Sequence, residues 1–96
     1  VAFEVRVRKQ VAAFLETLPE KSRRIVTAAL KALSDNPFPG SGGDKEILAL
    51  PSGRSLYRLH IARTYTAFYG IDVEAGIVSV YELLSIEQAH KRYGRL

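Results

Sequence analysis

The chain lacks cysteine, methionine and tryptophan altogether. Without cysteine, disulfides, thiolate zinc sites and cysteine nucleophiles are excluded together, which fits a reducing, cytoplasmic setting. No apolar run approaches the ~20 residues that a spanning helix needs, so no membrane partner is expected. The opening stretch VAFEVRVRK is too charged and too poor in apolar residues to act as a signal peptide. Acid is also scarce, with 10 Asp and Glu against 14 Lys and Arg. The acidic residues are scattered, with no paired-carboxylate pattern for magnesium. Two histidines without a neighbouring carboxylate pattern make a poor zinc site. No cofactor is therefore expected.

What remains is a chain of 96 residues, 47% hydrophobic and 25% charged, which fits one ordinary globular domain over residues 1–96. A net charge of +4 favours anionic partners: nucleic acid, an anionic membrane surface or an acidic protein. Charge alone does not choose between them, and many small basic domains bind no nucleic acid.

Periodicity gives the element order. Phe3, Val5 and Val7 alternate with Glu4, Arg6 and Arg8, as in a half-buried strand. From Lys9 the period changes, and Val11, Phe14, Leu15 and Leu18 recur on one helix face until Pro19. Val26, Ala29, Leu30 and Leu33 repeat that spacing, with Pro19 and Ser22 as start signals, which predicts an αα-hairpin. SDNPFPGSGGD, from Ser34 to Asp44, is a loop. Its glycines invite a phosphate-loop reading, but Asp44 and Glu46 flank Lys45 where Gly and Ser or Thr belong.

The second half is rich in strands. EILAL is short and is followed by a turn at Pro51, Ser52 and Gly53. In SLYRLHI, Tyr57, Leu59 and Ile61 point one way while Leu56, Arg58 and His60 point the other. In YTAFYGI, Tyr65, Ala67, Tyr69 and Ile71 oppose Thr66 and Phe68. The near-continuous apolar run IVSVYELL suits a strand covered on both faces. SIEQAHKRYGRL reads as a short helix with Ser85 as N-cap. The expected fold is α+β: an N-terminal strand and αα-hairpin packed on a small, mainly antiparallel twisted sheet, with a short C-terminal helix.

Arg58 and His60 share one face of one strand, about 7 Å apart by the strand rise. Guanidinium groups hold phosphate bidentately and keep their charge, and Arg54 and Arg63 flank the same strand. Tyr57 and Tyr69 fall in the core phase, and Tyr65 shares it near a strand end. A histidine beside arginines can move a proton near neutrality, although a lone histidine is more often an ordinary surface residue. His90 and Tyr93 share a face of the terminal helix beside Lys91 and Arg92. With no metal site in view, phosphodiester cleavage would use the 2′-hydroxyl of RNA itself, with cations stabilising the phosphorane charge.

The strand, the hairpin LPEKSRRIVTAALKALSDNPFPG, the pair of strands in YRLHIARTYTAFYGID, and the final VSVYELL together resemble the RelE/ParE superfamily of type II toxins over nearly the whole chain. IARTYTAFY together with IEQAHKRY looks like a branch often met in archaea. The resemblance implies the toxin component of a type II toxin-antitoxin system. In the RelE type this is a ribosome-dependent, metal-independent messenger-RNA endonuclease that inhibits translation; ParE members instead poison DNA gyrase. It further implies a cognate antitoxin, with the ribosome and messenger RNA as partners and a hetero-oligomeric toxin–antitoxin complex. Arg58 and His60 match the family's two basic positions on the central strand. The expected catalytic residues are Arg58, His60, Arg63, His90 and Tyr93. The expected RNA-binding residues are Lys45, Arg54, Tyr65, Lys91 and Arg92. The chain departs from the family at Thr66, where an arginine is common, and at LLSIEQ, where a histidine-arginine pair is common. A gyrase-directed toxin or an inactive toxin-fold binding module is the alternative.

Overall fold

The computed structural model describes residues 2–40, 42–49 and 55–93, with only the backbone of 49, 92 and 93. The elements run β1 (Glu4–Val7), α1 (Lys9–Glu16), α2 (Glu20–Ala32), β2 (Lys45–Ala49), β3 (Ser55–Ile61), β4 (Tyr65–Asp72), β5 (Ile77–Ser85) and α3 (Ile86–Tyr93). They form one five-stranded sheet in the order β1-β5-β4-β3-β2. The late strands pair antiparallel, whereas β1 pairs parallel with β5. A parallel neighbour needs a long crossover, and α1, α2 and the three later strands supply it.

The hairpin covers one sheet face. Val11, Val26, Leu30 and Leu33 meet Leu59, Ile61, Ala67, Tyr69, Val78, Val80 and Leu83 in a single buried cluster. Fully burying each such side chain contributes about 1.5–3 kcal/mol against leaving it in water. Pro19 caps α2 at φ −55°, the backbone angle that its ring enforces; Ser22 lies within the first turn rather than before it. Tyr57 and Tyr69 belong to this layer as expected, their rings stacked at 5.4 Å. The Tyr69 hydroxyl donates to the Pro37 carbonyl at 2.6 Å, and burial raises its pKa. That bond ties the loop after α2 to the sheet.

A smaller cluster lies on the opposite face, where Phe68, Leu84 and Ala89 are buried with Leu48 and Leu56 packed against them. Ala89 brings α3 onto that face. The helix starts in a capping box, with Gln88 N–H donating to Ser85 Oγ and Ser85 N–H to Gln88 Oε1, each at 3.1 Å. The Ile86 amide also donates to the Thr64 carbonyl at 2.9 Å, tying the start of α3 to the β3–β4 turn. IVSVYELL owes its broken alternation to a further feature. The β4–β5 register shifts between Phe68 and Tyr69, so that Phe68 faces Glu82 and Tyr69 faces Val80. This bulge leaves Tyr81 as the extra residue.

Candidate active site

Residues opposite each other across an antiparallel pair share a face. The register sets Glu46 beside Arg58, Arg58 beside Phe68, and His60 beside Thr66. One short row across three strands therefore holds a carboxylate, a guanidinium, an imidazole and a hydroxyl. The sequence pattern suggests an exposed face for Arg58; the structure corrects this, leaving the residue only 7% exposed. Burial follows from its surroundings, because Glu46 reaches it from the edge strand and α3 lies over the sheet beside it.

Glu46 ion-pairs with Arg58 Nη2 through one oxygen, and its other oxygen lies 3.4 Å from His60 Nε2. The Arg58 hydrogen bond is the main cause that holds the Glu46 carboxyl below its usual range, with His60 adding to it and partial desolvation opposing. Scattered in the sequence, Glu46 is seated between Arg58 and His60. A small cavity of about 20 Å³ lies next to it, lined by Arg58, His60, Thr66, Ile86, Ala89 and His90. Both histidines of the chain thus face one space, His60 from the sheet and His90 from α3. Arg58 Nε and Thr66 Oγ1 are buried here without a hydrogen-bond partner among the described residues. A buried polar atom left unpaired costs about 1–3 kcal/mol, so two in one cavity mark a place organised for something other than stability.

The other expected site residues fall elsewhere or cannot be placed. Tyr65 lies on the hairpin-covered face, edge-on to Phe14 at 6.1 Å, so it does not join the group. Lys45 is opposite Leu59, on that same face, with its ammonium 3.7 Å from Asp44. Arg63 is exposed in the β3–β4 turn, where Ala62 and Arg63 have φ of 52° and 59°. This left-handed conformation costs non-glycine residues roughly 1–2 kcal/mol each. Lys91 is exposed on α3, 3.9 Å from Glu87. Arg54 and the turn at 51–53 lie outside the described residues, as do the side chains of Arg92 and Tyr93. Among the described residues, no group of three His, Cys, Asp or Glu is placed to hold a metal ion, and no helix is long and apolar enough to cross a membrane.

Glu46 escaped the sequence reading because only the β2–β3 register brings it to Arg58. Its one available sign was period-2 alternation, which sets Glu46 and Leu48 on one face of EILAL.

No family model matches the chain, and no curated protein matches it. Solved structures do. The archaeal RelE–RelB complex from Pyrococcus horikoshii superposes with a TM-score of 0.74 at 22% identity, covering 88% of this chain and 96% of that one. The toxin–antitoxin complex RelBE2 from Mycobacterium tuberculosis gives 0.70 at 22% identity, over 88% and 99% of the two chains. A free E. coli RelE toxin mutant gives 0.59 at 14%, over 98% and 94%. The chain has a RelE-like toxin fold; identities this low establish the fold alone.

Proposed function

We propose that this chain is the toxin of a toxin–antitoxin pair and cleaves messenger RNA on the ribosome by activating the RNA's own 2′-hydroxyl. One observation carries the reading. Arg58 and Thr66, whose Nε and Oγ1 are buried without a partner among the described residues, line the same cavity as two imidazoles, a set of residue types that matches the needs of a phosphodiester transition state. Arg58 and Thr66 supply donors to the non-bridging oxygens, where negative charge accumulates. His60 takes the proton from the 2′-hydroxyl, and Glu46 beside its Nε2 steadies the imidazolium that results, as a carboxylate does behind a catalytic histidine. His90, as imidazolium, gives a proton to the departing 5′-oxygen. The products are a 2′,3′-cyclic phosphate and a 5′-hydroxyl end, and DNA, lacking the nucleophile, is not cut.

A cavity of about 20 Å³ holds little more than one water. We infer that substrate enters as α3 lifts from Phe68 and Leu84, a limited apolar contact. The antitoxin partner is supported by the complexes in which similar folds were solved, and the net charge of +4 favours an acidic one.

The test is controlled expression followed by primer extension on abundant transcripts, with Arg58→Ala, His60→Ala as the control. Cuts within translated codons that vanish in the double variant are expected. Growth arrest with intact transcripts would move the target to gyrase or another partner, and no arrest would leave a toxin fold kept for binding.

A further inference from the structure

Tyr81, Arg8 and Gly70 form a second feature of the site face, outside the cavity. The bulge in β5 is its origin. Val80 and Leu83 both enter the hairpin-side core, although regular alternation would put residues three apart on opposite faces. The extra residue, Tyr81, is turned to the other face instead. Bulges recur where a side chain must be re-aimed next to a site. On that face the ring lies across Gly70: a Cβ built there would collide with the Tyr81 hydroxyl and come within 3.1 Å of Cε2 and Cζ. Glycine thus leaves room for the hydroxyl end of the ring over the sheet. The Arg8 guanidinium sits over the ring, 4.6 Å from its centroid. Arg6, opposite Ser79 in the β1–β5 register, continues the row. Its head group is held by an exposed ion pair with Glu4, and such a pair is readily exchanged for phosphate.

We propose that this platform is a second nucleotide position for single-stranded RNA, with a base stacking on the Tyr81–Arg8 layer and the adjoining phosphate held by Arg8 and Arg6. The inference rests on the reading that this sheet face receives RNA. The register places Tyr81 beside Glu82, two strands from Arg58, on the order of 10 Å away. A strand with its scissile phosphate at Arg58 and Thr66 passes over the platform as it leaves the cavity towards β1. A flat aromatic with cations above it matches the planar faces and regular charge of a nucleic acid. An acidic peptide would need the cations alone, and neither the bulge nor the glycine.

The experiment is fluorescence anisotropy of a short, fluorescein-labelled, 2′-O-methylated oligoribonucleotide, which cannot be cleaved, titrated with the full chain over a range of salt. Tyr81→Ala is expected to weaken binding about 5-fold to 100-fold, as loss of one stacking platform does, and Tyr81→Phe to leave it within about 2-fold. Arg8→Gln is expected to reduce the salt slope by about 0.7, the share of one phosphate contact on a single strand. Gly70→Ala, which lifts the ring without removing it, should weaken binding in the same direction as Tyr81→Ala. Circular dichroism melts check that each variant folds, and exposed Arg8 keeps the test open where Gly70→Ala does not. Should Arg58→Gln weaken binding while Tyr81→Ala and Arg8→Gln do not, the platform is overturned and the active-site reading stands. A wild-type chain without affinity for the oligonucleotide overturns both. Loss of affinity for poly-glutamate with unchanged RNA affinity overturns the platform in favour of a protein partner.

Discussion

The hairpin-covered face and the site face of the sheet are built from the same strands, often from adjacent residues, yet they follow opposite rules. Leu59 and Ile61 enter a large apolar cluster on one side, while Arg58 and His60 between and before them line a cavity on the other. On the covered face the polar group of Tyr69 is satisfied by Pro37. On the site face two buried polar atoms lack partners among the described residues, and the apolar contact holding α3 rests on three buried residues. Stability is concentrated on one face, which leaves the other free to hold charge and unpaired donors that a well-packed core would not tolerate.

The largest expected effect breaks the covered face alone. Leu83 is fully buried, and Leu83→Ala should cost about 2–5 kcal/mol by urea denaturation, while the folded fraction still binds RNA. Thr66→Val sharpens the contrast because its two effects have opposite sign. Replacing an unpaired buried hydroxyl with a methyl group should raise stability by about 1 kcal/mol, yet lower RNA cleavage by about ten-fold or more, as loss of a transition-state donor does. Loss of stability together with activity would place Thr66 in the structural layer.

Ala62→Gly addresses the turn that joins β3 to β4 at Arg63. It relieves a positive φ of 52° and should add about 0.5–1 kcal/mol in thermal unfolding, less than the full strain because glycine also loosens the unfolded chain. The smallest effect is the pH dependence of Glu46. Its folded pKa lies below the ordinary glutamate value, so its contribution is fully present above that value and is lost as pH falls through the lowered one. Glu46→Gln should flatten stability against pH in that acid range and lower it modestly at neutrality, where the contribution is fully present.

Much of this division is legible in the sequence, because period-2 alternation in SLYRLHI and YTAFYGI sorts Tyr57, Leu59, Ile61, Tyr65, Ala67 and Tyr69 from Arg58, His60, Thr66 and Phe68. The same rule places Tyr65 in the core phase, and the structure keeps it there rather than beside the cations. Helical spacing marks the hairpin face and the cap of α3, so His90 is legible as a helix residue, but its return to the sheet is a matter of packing. Glu46 required the register between β2 and β3, since a slip of one residue would have put it on the other face. The bulge was hidden for a related reason. A continuous apolar run such as IVSVYELL reads as a strand covered on both sides, and only the pairing with β4 shows that Tyr81 has been turned outward.

In the proposed mechanism Arg58 and both imidazoles form one anion site on the face opposite the hairpin. The most direct test is to follow the ring protons of His60 and His90 by NMR while the chain is titrated with a 2′-O-methylated oligoribonucleotide. Both sets of resonances are expected to shift with one common affinity, and Arg58→Gln to weaken that affinity for both. Binding that leaves either imidazole unmoved would contradict the single site.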